Sequence, residues 1–273
     1  MSQIRKPAVA GYFYPADSSK LKKEVELLLS ISGKTDIQGK LFGIISPHAG
    51  YIYSGKTAAF GFNLMDKDKV KTVIIISPSH REYFPGISIY DGDAYQTPLG
   101  TIPVNRQIAD ALSSGSKTIF KGKEGHREEH AIEVQLPFLQ TVLDGFDFVP
   151  VVMGDQGKLY VDELAEKIAE SIDDNTVVIS SSDLSHYYSG DVADRMDSIV
   201  ERDIKNFNYN GLMENFESRK CEACGSGTII ALMKAAERLN YRKSVVLNRS
   251  DSGDTTGDKN QVVGYLSAAI YGE

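Results

Sequence analysis

The chain has 273 residues, of which 41% are hydrophobic and 25% are charged, a composition typical of a globular protein with a sizeable core. A net charge of −7 and the lack of a basic cluster argue against a nucleic-acid-binding protein. No apolar run approaches the roughly 18 residues that a bilayer span requires, and the first residues lack the apolar segment of a signal peptide. We therefore expect a cytoplasmic protein with neither a nucleic-acid partner nor a membrane partner.

Predicted helices and strands alternate along the chain, which is typical of α/β proteins. In chain order we predict a helix over Lys20–Leu29, a strand over Phe42–Ile45, a helix from about Ser54, strands over Val73–Ile76 and Ile87–Tyr90, helices over Asn105–Ser113 and Glu128–Leu143, a strand over Phe146–Met153, a helix over Val161–Ile172, a strand over Val177–Ile179, helices over Asp191–Phe207, Gly211–Glu217 and Gly225–Leu239, and strands over Ser244–Leu247 and Val262–Ile270. No linker or repeat interrupts this alternation, so residues 1–273 are predicted to form one domain. We expect a central, mostly parallel or mixed sheet with helices on both faces.

Three segments depart from the regular pattern. Residues 85–105 are predicted to form a hairpin region with turns at Gly92 and Gly100. Pro137 should kink the helix predicted over residues 128–143 or set its true start, because proline cannot donate a backbone hydrogen bond. Residues 250–260, which are rich in Gly, Asp and Thr, are predicted to form a loop.

Three buried strands end in serine and then deliver a histidine. If these strands are parallel, the histidines leave the same edge of the sheet, which is where ligands bind in open α/β sheets. Neutral imidazole is the commonest metal ligand and a usual proton carrier. A single histidine at a strand end is more often an ordinary loop residue with a satisfied hydrogen bond, but three in matching positions predict a shared site. The three sequences are Ser46-Pro47-His48, Ser77-Pro78-Ser79-His80 and Ser180-Ser181-Ser182-Asp183-Leu184-Ser185-His186.

The third of these sequences places a carboxylate near a histidine. His186 is the candidate general base, and Asp183 is a candidate for orienting its imidazole or raising its basicity. The alternative for Asp183 is an Asx turn that closes the strand.

The only two cysteines, Cys221 and Cys224, are spaced as C-x-x-C. Cys224 precedes a glycine-rich turn that opens a predicted helix, where backbone N–H groups are expected to lower the thiol pKa and favour a thiolate. A thiolate is a soft ligand for iron, copper or zinc. A dithiol redox pair remains an alternative, and Cys221 is equally compatible with a packed core residue.

His126-Arg127-Glu128-Glu129-His130 formally matches the H-x-x-E-H motif of inverted zincins. A metallopeptidase of this kind would need the motif on a regular helix and a further ligand. The interpretation that we favour is that His130 and Glu133 reach into the site formed by the strand ends.

Six motifs in this order closely resemble the Memo family, also called the AmmeMemoRadiSam system protein B family. They span residues 10–225, and the glycine-containing C-terminal part of the chain fits as well. The motifs are Ala10-Gly11-Tyr12-Phe13-Tyr14-Pro15, Ser46-Pro47-His48-Ala49-Gly50-Tyr51, Ser77-Pro78-Ser79-His80, Glu129-His130-Ala131-Ile132-Glu133, Ser181-Ser182-Asp183-Leu184-Ser185-His186 and Cys224-Gly225.

The resemblance implies a LigB-like α/β domain, similar to the class III extradiol dioxygenases, which are non-haem iron enzymes. It implies one divalent metal ion, with Fe(II) expected and copper or zinc as alternatives because a thiolate replaces the usual carboxylate. The implied site residues are His48, His80 and Cys224 as metal ligands, and His186 and Asp183 as the acid/base pair. We further expect His130, Glu133 and Tyr51 to lie in the substrate pocket.

Two functions follow from the resemblance. The first is a metal-dependent oxidoreductase that uses O₂ or another small oxidant on an unidentified substrate. The second is a non-enzymatic module that binds a peptide or protein through a vestigial dioxygenase-like pocket. The family name also implies an association with radical-SAM pathway proteins.

Overall fold

Twelve strands are present in the computed structural model, which describes residues 3–33 and 35–273. Nine of them form one large mixed sheet, and the other three form a small separate sheet. In chain order they are β1 (Ile4–Arg5), β2 (Lys40–Ser46), β3 (Thr72–Pro78), β4 (Ile87–Tyr90), β5 (Ala94–Thr97), β6 (Gly100–Pro103), β7 (Ile119–Gly122), β8 (Asp147–Met153), β9 (Thr176–Ser181), β10 (His186–Tyr188), β11 (Lys243–Asp251) and β12 (Val262–Gly272).

The centre of the large sheet consists of four parallel strands in the order β2, β9, β3 and β8. On one side, β12 pairs antiparallel with β2, and β10 and β11 both pair antiparallel with β12. On the other side, β4 pairs antiparallel with β8, and β7 lies parallel to β4. The expectation of a mixed sheet with a parallel centre is confirmed.

Nine α-helices lie in the described part of the chain. They are α1 (Ser18–Ile31), α2 (Lys56–Phe62), α3 (Arg106–Ser113), α4 (Leu136–Val142), α5 (Lys158–Ser171), α6 (Gly190–Lys205), α7 (Tyr209–Glu217), α8 (Ser226–Arg238) and α9 (Gly253–Thr256). Helix α1 begins where Asp17 caps it, because the Asp17 carboxylate accepts a hydrogen bond from the Lys20 N–H.

Helices cover both faces of the large sheet, as predicted. Along β3, Ile74 and Ile76 pack towards α3, α5, α6, α7 and α8, whereas Val73 and Ile75 pack towards α1, α2 and α4. All four side chains are fully buried. Successive side chains of a strand point to opposite faces, and each such burial contributes roughly 1.5–3 kcal/mol. A run without polar alternation is therefore what a central strand of this α/β fold requires.

The segment predicted as a helix over residues 128–143 is only partly helical. A single 3₁₀ turn, Glu133–Gln135, leads into α4, and Pro137 lies in the first turn of that helix. A proline is tolerated there because the first N–H groups of a helix have no partner within the helix. Residues 126–130 are irregular, so the H-x-x-E-H match does not lie on a helix, and the metallopeptidase alternative lacks its structural basis.

The predicted hairpin region is divided between two sheets. Strand β4 joins the large sheet, while β5 and β6 form an antiparallel hairpin that pairs with β1. The loop predicted over residues 250–260 contains the end of β11 and the short helix α9. Among the described residues, no helix is long and apolar enough to cross a membrane. That residues 1–273 form a single domain stays a prediction.

His126, the first histidine of the H-x-x-E-H match, lies apart from the strand-end site and is buried beside Arg5, Ser88 and Tyr95. Its Nδ1 accepts a hydrogen bond from the Tyr95 hydroxyl at 2.7 Å, and its Nε2 donates to the Ser88 carbonyl at 3.1 Å. The side chain is inaccessible to solvent. Burial lowers the pKa of His126 to about 3, so the native protein holds this histidine neutral.

We expect His126 to make the protein sensitive to acid. Its pKa is about 3 when folded, against 6.5 for an exposed histidine, so the unfolded chain binds one more proton between these values. The contribution of His126 to the free energy of unfolding is therefore fully present above pH 6.5, and it falls by about 2–3 kcal/mol from pH 7 to pH 4.5. Urea unfolding at both pH values measures this loss. His126→Gln keeps both hydrogen-bonding roles but cannot titrate, so its free energy of unfolding should fall by about 2–3 kcal/mol less than that of the native protein over the same pH range. An equal fall in both proteins would contradict a neutral, buried His126.

Candidate functional site

The strand-end site is created by the order of three adjacent parallel strands. Strand β9 lies between β2 and β3, so the carboxyl ends of all three meet at one edge of the sheet. His48 follows β2, His80 follows β3, and Asp183 follows β9. The chain therefore delivers these side chains to the same place, together with His130 from the irregular segment before α4.

Two histidines and a cysteine form a compact group of ligand atoms at this edge. One ring nitrogen each from His48 and His80 and the sulphur of Cys224 all lie within 4.8 Å of one another. The His48 and His80 ring centroids are 5.0 Å apart, and the rings lie edge to face. His48 is buried, Cys224 is partly buried, and His80 is exposed on the open side.

The orientation of His48 follows from its hydrogen-bond partners. Its Nδ1 lies 2.9 Å from Ser181 Oγ, which itself donates to the Ala131 carbonyl and accepts from Gln135 Nε2. The single hydroxyl proton of Ser181 is thus used on a carbonyl that can only accept, so His48 Nδ1 must carry the proton. The Nε2 lone pair of His48 is then free, and it lies 3.2 Å from Cys224 Sγ.

Cys224 enters the site on a tight turn just before α8. An added Cβ at Gly225 would lie 2.7 Å from the Ser181 carbonyl oxygen, so only glycine permits this close approach. The Cys224 sulphur accepts the Asp183 N–H at 3.2 Å. The sequence-based prediction of a lowered thiol pKa was wrong, because burial and the nearby Asp183 carboxyl raise the pKa of Cys224. A bound divalent cation would reverse this shift.

His186 lies on β10, across the same cavity, and is not hydrogen-bonded to Asp183 in the described part of the chain. Its Nδ1 donates to the Leu184 carbonyl at 2.7 Å, which leaves the Nε2 lone pair available. Asp183 instead accepts the His48 backbone N–H at 2.7 Å. The carboxylate thus fixes the backbone of His48 instead of orienting His186. Burial raises the pKa of Asp183.

Glu129 is the carboxylate that contacts the site histidines, whereas the sequence pattern favoured Glu133 for this place. Its side chain is 1% exposed and lies beside the rings of His80 and His130. Although burial alone would raise it, hydrogen bonding and charge from His80 and His130 lower the pKa of Glu129 to about 2. Burial and the nearby His48 lower the pKa of His130 to about 4.

Glu133 and Tyr51 were predicted to line the substrate pocket, and both lie outside the cavity. The Glu133 carboxylate is fully buried against Arg5, the Tyr14 hydroxyl and the Ala8 N–H. The Tyr51 hydroxyl donates to the Val134 carbonyl, and its ring packs in the core. Both residues support the wall of the site from behind. The sequence signal was ambiguous because Glu129 and Glu133 flank His130 in one motif.

An open cavity of about 690 Å³ lies over the metal-ligand group. Its lining contains four histidines, the buried Asp183, the exposed Asp258 and several apolar side chains, and among the described residues it contains no lysine or arginine. At its mouth Tyr12, Ile52 and Tyr187 are 88%, 69% and 70% exposed. Tyr187 has a backbone φ of 63°, which is unfavourable for a tyrosine.

A family model and curated relatives match nearly the whole chain. A family described as Memo-like protein matches residues 5–269. A MEMO1 family protein of Thermoplasma volcanium is 38% identical over 269 residues, covering 97% of both chains. A MEMO1 family protein of Thermoplasma acidophilum is 40% identical over 266 residues, covering 96% of this chain and 97% of that one. The solved structure of an uncharacterized Escherichia coli K12 protein aligns with a TM-score of 0.49 and 11% identity, over 74% of this chain and 86% of that chain.

Proposed function

This chain belongs to the Memo family, and from this premise we propose that its cavity binds one divalent metal ion and supports an oxidoreductase reaction. The observation that carries the proposal is the convergence of His48, His80 and Cys224 ligand atoms within 4.8 Å. Fe(II) is the proposed ion, and copper or zinc are the alternatives that a thiolate ligand admits.

The donor set fits a single ion. Metal–nitrogen and metal–sulphur bonds of about 2.0–2.3 Å require ligand atoms of one ion to lie at most about 4.6 Å apart. The observed spread needs only small side-chain adjustments to reach this. His48 already presents its Nε2 lone pair, and the thiol proton of Cys224 is the one that the metal would displace.

The residues of the chain have separate roles in this proposal. An iron ion held by three protein ligands would supply open coordination positions for O₂ and for a substrate. The available Nε2 of His186 would accept a proton from a substrate in the cavity. The apolar side chains at the cavity mouth would exclude water from the apolar part of that substrate.

His186→Asn should separate metal binding from turnover. We expect unchanged Fe(II) stoichiometry, because His186 is not among the ligands, and an oxidation rate lower by about 10²–10⁴-fold, the usual value of a positioned base. Oxygen consumption with a panel of phenols and thiols measures the rate. If the native protein loaded with Fe(II) oxidises no compound of the panel faster than free Fe(II) does, the oxidoreductase proposal is contradicted.

A second candidate function is a module that binds a peptide or protein. It is favoured by the exposed apolar side chains of Tyr12, Ile52 and Tyr187 around the cavity mouth. Such a module should bind its partner equally well before and after chelation of the metal. Loss of partner binding on chelation would count against it. An association with radical-SAM pathway proteins stays a prediction.

A further inference from the structure

Glu129 is the centre of a dense hydrogen-bond cluster beside the metal-ligand group. Its Oε2 accepts the His80 backbone N–H at 2.7 Å. Its Oε1 accepts three N–H groups, from His80 Nδ1 at 2.9 Å, the His130 backbone at 2.8 Å and the Ala131 backbone at 2.9 Å. Four donors around two oxygens are satisfied only by a group that accepts on both oxygens, which is the ionised carboxylate.

This pattern argues against Glu129 as a metal ligand itself. The oxygens of Glu129 lie close enough to His80 and His130 nitrogens to form a second potential metal group. However, Oε1 already accepts three hydrogen bonds, and two of them come from backbone groups that cannot be redirected without moving the chain. A metal bound there would have to displace these bonds in a buried place, which is costly.

We propose that Glu129 is the positioning residue that makes His80 a metal ligand. By accepting from Nδ1, the carboxylate holds the His80 proton on that nitrogen and leaves the Nε2 lone pair facing the cavity. The same carboxylate also accepts the backbone N–H groups of His80 and His130 and so fixes the backbone at both residues. This role rests on the proposed metal function, but the hydrogen bonds from which it is argued are formed entirely by residues of the chain.

His80 depends on such a partner more than His48 does. His48 is 2% exposed and is held between Ser181 and Cys224, so packing alone restricts its ring. The side chain of His80 is 27% exposed, and the only hydrogen bond of its ring in the described structure is the one to Glu129. Without Glu129, the ring would be free to take the Nε2–H form that imidazole side chains favour in water.

The test is the tautomer of His80 in metal-free protein, read by long-range ¹H–¹⁵N NMR of the histidine rings. We expect the Nδ1–H form in the native chain and a shift towards the Nε2–H form in Glu129→Ala. Glu129→Gln, which keeps the shape and one acceptor oxygen, should be intermediate. Glu128→Ala, at the exposed neighbouring position, should leave the tautomer unchanged and serves as the matched control.

The same proteins, titrated with Zn²⁺, give the functional readout. The outer partners of metal ligands are typically worth about 10- to 100-fold in affinity, and we expect Glu129→Ala to lose that much and Glu129→Gln less. A native His80 in the Nε2–H form, or an unchanged tautomer in both Glu129 variants, would overturn the inference. The Nδ1–H form without any Zn²⁺ binding would instead overturn the proposed metal function and leave the role of Glu129 standing.

Discussion

Cys224→Ser and His48→Ala are each expected to weaken Zn²⁺ or Fe(II) binding by more than about 100-fold. Even the outer partners of metal ligands are worth about 10- to 100-fold, so loss of a direct ligand should cost more. The sulphur of Cys224 lies 3.2 Å from His48 Nε2, so each variant removes one side of the same pair. Because the metal must displace the thiol proton, the native affinity should also rise with pH. Competitive titration with a chromogenic chelator measures both effects.

Cys221→Ser is the matched control for this prediction. Cys221 is the other cysteine of the C-x-x-C pair, but it is buried in the core near α6 and is not part of the ligand group. Its replacement should leave the metal affinity within a few-fold of the native value. Native affinity in Cys224→Ser, or equal losses in both cysteine variants, would show that the thiol of Cys224 is not a ligand.

Glu133→Ala is expected to lower the free energy of unfolding by about 3–5 kcal/mol, the usual cost of leaving one member of a buried ion pair alone. Glu133 and Arg5 are 0% and 4% exposed, and their charged atoms are 2.6 Å apart. The same carboxylate accepts the N–H groups of Ala8 and Val9 at 2.7 and 3.0 Å. The variant therefore frees the segment that carries Phe13, whose ring packs 4.9 Å from that of His130.

Urea unfolding followed by circular dichroism measures this loss, since the chain contains no tryptophan. Asp144→Ala is the control, because it breaks an ion pair with Lys67 in which both side chains are more than half exposed. Pairs of that kind contribute about 0–1 kcal/mol. A loss below about 1 kcal/mol in Glu133→Ala would mean that the N-terminal segment is held by other contacts.

The sequence is sufficient to predict the parallel centre of the sheet and the meeting of His48 and His80. Both follow from local signals, namely apolar runs such as Val73–Ile76 and the serine and proline that end them. Local signals do not show whether Glu129 or Glu133 contacts the site histidines. It depends on the irregular path of residues 126–132, which is fixed by Arg5, Glu133 and other contacts distant in sequence.

The ionisation of Cys224 was also beyond local reasoning. Its position before α8 favours a thiolate, but in the folded chain burial and the adjacent Asp183 have the larger effect and raise the pKa of the thiol. The pairing of β1 with the hairpin of β5 and β6 was not predicted, for a similar reason. Strand β1 has only two residues, and it is held by pairing with β5, about 90 residues later in the chain, and not by its own sequence pattern.

X-ray absorption spectroscopy of the Zn²⁺-loaded protein is the most direct test of a metal centre at His48, His80 and Cys224, because it reports which atoms surround the metal. We expect one ion per chain, with one sulphur neighbour at about 2.3 Å and two imidazole nitrogens at about 2.0–2.1 Å. The sulphur signal should disappear in Cys224→Ser. A first shell of oxygen and nitrogen without sulphur, or zinc bound in less than stoichiometric amount, would contradict a metal centre built from His48, His80 and Cys224.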